Sequence, residues 1–196
     1  LSIPSLAHPT VNRKKKPIDR LKASVGRVSV PGLFDNLDVV WGTPAVVGQG
    51  YAEYLPASES GPPGNPNPYQ GRDTVAVNRD RVGSDEMLDE IILGDAMHRL
   101  PTTYPTLYRQ FTGNQSPGYE GMMRERHKRI GDPRSYDQWL KTSGHDSMIR
   151  GAVLSDMPQH SAAGWGGLLT QAPFSKEQYM ALEDIRRIVR PEKKKE

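Results

Sequence analysis

Glycine and proline punctuate this chain so densely that no regular element can run far along it. Nineteen glycines and seventeen prolines fall among 196 residues. Each proline removes a backbone donor and pins its own φ. Only 35% of the residues are hydrophobic, well short of the usual share of a globular domain. The chain can therefore bury one modest core, with irregular stretches or extended arms around it. No stretch is apolar for long enough to cross a bilayer as a helix, so no membrane span is expected. No charged-then-apolar leader is present, so no signal peptide is expected. There is no cysteine, which excludes disulfides, thiolate catalysis, zinc fingers and iron–sulfur clusters.

The net charge of +3 is unevenly placed. Residues 1–33 carry seven basic groups and one acid, residues 34–83 three and six, residues 84–190 thirteen and fourteen, and residues 191–196 three and two. The basic charge thus belongs to the amino-terminal segment, above all to Arg13, Lys14, Lys15, Lys16, Arg20 and Lys22. Such a segment suits a nucleic acid or an acidic protein surface, and a solvated tail is the plain alternative.

Four segments follow from the patterning. Residues 1–33, broken by Pro4, Pro9, Pro17 and Pro31, read as an extended basic arm with one short strand at Arg27–Val30. Residues 34–83 read as β-rich, with strands in Leu37–Trp41, Pro44–Tyr54 and Thr74–Asn78. The proline-rich loop 61–68 makes the last two a hairpin with a long tip. Residues 84–190 read as helical. Ser84 caps a helix with Asp85 and Glu86 in its first turn, which Pro101 stops. Pro105 and Ser116-Pro117 open two more, the second running to Ile130. Ser135…Gln138 and Ser175…Gln178 have capping-box spacing. Tyr179, Leu182, Ile185 and Val189 form one stripe that Pro191 ends, and Gly164–Gly167 reads as a loop. Residues 191–196 are a charged tail. The expected fold class is α+β: a small antiparallel β-sheet, then four to five short helices, with an extended N-terminal arm.

The segment with most chemical content is Leu88–Leu100. Zinc metallopeptidases of the zincin type place His-Glu-x-x-His on a helix after a strand, so that two imidazoles share a face with a general-base carboxylate. Here the sequence is Gly94-Asp95-Ala96-Met97-His98. His98 occupies the second histidine's place and Asp95 the glutamate's, while Gly94 stands where the first histidine should be and cannot ligate. The segment resembles a degenerate zincin helix, with Asp95 and His98 as a relic or a structural pair. Their spacing of three puts them on one face with Leu88 and Ile91.

His8, His127, His145 and His160 have no metal-ligand spacing to one another, and no metal or other cofactor is expected. His127 lies in the basic run Arg124–Arg129, which suits phosphates or a solvated face. His145-Asp146-Ser147 holds triad residue types, but adjacency in sequence does not make a triad, and a turn or helix cap is the better reading. No phosphate loop or dinucleotide fingerprint is present, which disfavours nucleotide-dependent enzymes.

Tyr51–Pro56, Leu88–Leu100, Arg134–Leu140 with Met148–Gly151, and Phe174–Arg190 together resemble an uncharacterised family of small tailed-bacteriophage proteins, virion or ejection-associated. The resemblance implies a structural component of the particle, in the capsid interior, neck or tail. It would be made in the host bacterial cytoplasm and packed in many copies against other virion proteins. It implies no catalytic residues. The alternatives are a catalytically degenerate zincin-like hydrolase module and a DNA-contacting virion protein.

Overall fold

The computed structural model describes residues 16–57, 71–155 and 173–191. Arg13, Lys14 and Lys15, the loop 61–68, Gly164–Gly167 and the tail beyond Pro191 lie outside the described residues.

The architecture is α+β, as the patterning predicts. Strands β1 (Leu37–Trp41), β2 (Ala52–Leu55) and β3 (Asp73–Val77) form one sheet in the order β1-β3-β2. β2 and β3 pair antiparallel, with Leu55 opposite Thr74, as the expected hairpin requires. β1 joins β3 in parallel, so the sheet is mixed, where an antiparallel one was expected. Strand propensity says nothing of the direction in which a neighbour arrives; the connections decide it. Pro44–Tyr54 is not one strand. Pro44 opens a single helical turn, α2 (Pro44–Val47), which ends at Gly48 with φ of 54°.

The larger correction concerns residues 16–33. The expected extended arm and its strand at Arg27–Val30 give way to a helix, α1 (Pro17–Val28), with Pro17 in its first turn, where a missing N–H costs nothing. Leu21 and Ser24 are buried, and Val25 and Val28 pack beside them on the same face. Only three apolar residues mark that face, too few to stand out between basic neighbours. Two of the basic groups, Arg20 and Arg27, have partners within the chain. Helix α3 (Asp85–Ala96) offers Asp85 to Arg20 at 2.6 Å, and Asp89 to Arg27 at 2.7 Å and to the Ser24 hydroxyl.

The remaining helices are α4 (Leu100–Thr103), α5 (Pro105–Gly113), α6 (Pro117–Ile130), α7 (Tyr136–Trp139), α8 (His145–Val153) and α9 (Lys176–Val189). Seven helical segments therefore follow the sheet among the described residues, where four or five were expected. Met97–Arg99 tightens to a 3-10 turn, and Pro101 then sits in the first turn of α4 instead of stopping the helix. Leu140–Gly144 is a π turn that joins α7 to α8. Ser84, Ser116, Ser135 and Ser175 all cap as expected, the last with a complete capping box. On α9 the stripe is Leu182, Ile185 and Val189 with Ala181, while Tyr179 faces solvent.

Two apolar clusters hold the molecule. One packs Leu21, Val75, Val77, Val82, Leu88 and Ile92 between the sheet, α1 and α3. The other gathers Leu93, Met97, Phe111, Tyr119, Trp139, Ile149 and Ile185 among the later helices. Helix α3 sends side chains into both, and Val28 and Phe34 touch both.

Candidate functional site

The last turn of α3 and the 3-10 turn after it bring Asp95 and His98 to the junction between the two clusters. The pair is not alone. Arg150, on α8, donates to Asp95 Oδ1 at 3.1 Å and lies 3.0 Å from His98 Nε2. Asp95 and His98 themselves stand 3.7 Å apart, beyond hydrogen-bond reach. On the other side of the ring, Asp146 Oδ2 is 3.5 Å from Nδ1, and Tyr108 on α5 donates to Asp146 Oδ1 at 2.6 Å. Tyr54 of β2 stacks on the imidazole, with centroids 5.4 Å apart and planes at 18°. A guanidinium can only donate, so Nε2 accepts and the ring proton belongs on Nδ1, facing Asp146. Burial pushes the Asp95 carboxyl up, against the pull of the Arg150 guanidinium. Asp146 also pushes the Tyr108 phenol up, after burial itself.

This arrangement has the parts of an acid–base dyad, Asp146 and His98, but the outer nitrogen faces Arg150, and among the described residues no hydroxyl hydrogen-bonds to it. Gly94 points elsewhere. A Cβ at that position would meet Leu154 Cδ1 at 3.1 Å, inside the second cluster. Among the described residues no group of three or more His, Asp or Glu is arranged to hold a metal ion.

Sequence reasoning missed Arg150, and it read Asp146 as part of a turn or helix cap instead of a neighbour of His98. Asp146 and Arg150 are four apart on one helix and so share a face, and that spacing is the signal that could have found them. The triad residue types diverge. His145 points to Tyr119 and Gln115, Asp146 to Tyr108 and His98, and Ser147 accepts from Arg126 at 3.3 Å. They form the first turn of α8, directly after the π turn, and do not cap it.

His145 lies over a second site. Its Nδ1 is 3.0 Å from the Tyr119 hydroxyl and its Nε2 is 3.2 Å from the Gln115 amide. Burial pushes the imidazole down to about 4, with Asp146 opposing. A cavity of about 380 Å³ opens here, lined by Tyr108, Thr112, Gln115, Leu140, Lys141 and His145 among others. Gly144 sits tightly in the π turn: a Cβ there would lie 3.1 Å from Leu140 and from the Trp139 ring.

Among the described residues, some of the expected basic groups are engaged within the chain. Arg20 faces Asp85, Arg124 pairs with Glu120 at 2.7 Å, and Arg129 pairs with Glu125 at 3.2 Å. Arg126 turns inward, and burial beside Arg150 lowers it to about 10. His127 meets the Arg134 carbonyl at 2.9 Å and packs on Trp139. Lys16 and Lys22 are exposed.

No protein-family model, curated protein or solved structure matches this chain.

Proposed function

We propose that the chain is a non-catalytic structural component of a tailed-phage particle, acting through contacts with other virion subunits. The particle assignment comes from the four segments that resemble small phage proteins. The observation that carries the non-catalytic part is the closed state of the zincin-like helix. Arg150 engages both Asp95 and His98, and Gly94 is packed against Leu154. Water activation needs an open coordination position and a base free to take a proton, and both chemical positions here are spent on contacts between α3 and α8. The zincin-like reading then describes a scaffold, with its former site used as a joint. Its location is the virion, after synthesis in the host cytoplasm.

The test is to tag the chain in a phage-producing culture and band the particles by density. A fixed copy number of the chain in the particle band is expected. Absence from the band, with the chain left among soluble proteins, overturns the reading.

A further inference from the structure

Among the described residues the order β1-β3-β2 leaves β1 with one neighbour in the sheet. The Gly42 N–H donates to the Val77 carbonyl at 2.9 Å, one step beyond the Trp41–Val77 pair. Alternate residues of a parallel strand bond to the same neighbour. Asp38 and Val40 therefore share the inward set with Gly42, and Val39 and Trp41 turn their backbone N–H and C=O away from β3. Among the described residues nothing hydrogen-bonds those outward groups.

Edge strands are ordinarily blunted by shortness, charged side chains, proline, a bulge or a covering element. β1, Leu-Asp-Val-Val-Trp, has no proline, lysine or bulge, and its one charge, Asp38, is paired to Arg72 at 2.9 Å. Leu37, Val39 and Trp41 are all only partly buried although they pack on an apolar cluster. Ile18 is 48% exposed, and it follows the Pro17 carbonyl that accepts from the Trp41 indole at 3.0 Å. Apolar surface thus continues past the end of the strand.

We propose that β1 pairs antiparallel with β1 of a second copy of this chain, around a two-fold axis at Val39, joining two sheets into one. The strand is self-complementary in that register. Val39 meets its own copy as a hydrogen-bonded pair, and each Trp41 N–H reaches the Leu37 carbonyl opposite. Leu37 lies across from Trp41, and Asp38 across from Val40, so no like charges stand directly opposite. A two-fold contact of this kind closes on itself. This inference goes beyond the particle reading and does not rest on it, since a dimer in solution is read without any particle.

Analytical ultracentrifugation of the full chain tests it. The wild type is expected to dimerise with rising concentration. Val40→Asp sets a carboxylate opposite Asp38 at both ends of the pair and should weaken the dimer about tenfold. Val40→Lys offers Asp38 a cation and should hold or tighten it. Val39→Pro removes an outward donor that the chain's own ladder does not use, and should abolish pairing. Thermal melts confirm that each variant remains folded. A wild type that is monomeric at every soluble concentration overturns the proposal, as do Asp and Lys variants that shift the equilibrium alike.

Discussion

Arg150 does more at the α3–α8 junction than either residue it touches. It is the cation beside Asp95, which is only 15% exposed, and it occupies the outer nitrogen of His98. Removing one partner of such a pair leaves the other charge uncompensated. Arg150→Ala should cost about 2–3 kcal/mol in urea unfolding, and His98→Ala about 1–2 kcal/mol. Because the two share partners, the double variant should cost less than the sum. His145 makes a different prediction. Its folded value of about 4 lies below the ordinary 6.5, so below pH 6.5 the unfolded chain binds the proton first. Its contribution is fully present above that pH and is lost as pH falls toward 4. The loss amounts to about 3 kcal/mol. Unfolding measured from pH 7 down to 4.5 should show a slope that His145→Gln largely removes. Equal slopes in the two proteins would mean that the imidazole titrates normally.

Helix α3 is the element on which the molecule turns, with one face on the sheet and the other on the helical cluster. Gly94→His with Asp95→Glu would rewrite the segment as His-Glu-Ala-Met-His. The new imidazole would have to enter where even a Cβ lies 3.1 Å from Leu154. The expected outcome is destabilisation by about 3 kcal/mol, from overpacking and a buried polar ring, with no stoichiometric zinc by metal analysis. One zinc per chain in a folded double variant would show a latent metal site. Helix α1 makes the second prediction at this scale. Leu21 is 1% exposed, so Leu21→Ala should cost about 3 kcal/mol. Truncation through Lys22, which removes Leu21, should destroy cooperative folding. A cooperative melt after that cut would return α1 to the status of a detachable arm.

At the scale of the whole molecule, the two apolar clusters share Val28, Phe34 and the two faces of α3, so they should unfold together. Coincident far-ultraviolet and aromatic signals through one transition are expected, and Phe34→Ala should separate them. Two transitions in the wild type would make the clusters independent units. Local chemistry legible in the sequence set much of this architecture. Serine caps at Ser84, Ser116, Ser135 and Ser175, prolines at helix starts, and β-branched runs at Leu37–Trp41 and Thr74–Val77 act within a few residues, so they are read without knowing the neighbours. The Asp95–His98 pair was visible for the same reason. What only the tertiary structure decided lies at long separation. The parallel entry of β1, the folding of Pro17–Val28 onto Asp85 and Asp89, and the insertion of Arg150 between Asp95 and His98 each join segments 35 or more residues apart. Such pairings depend on how loops return the chain and on which charges meet when the apolar faces close, and neither is written in the local sequence.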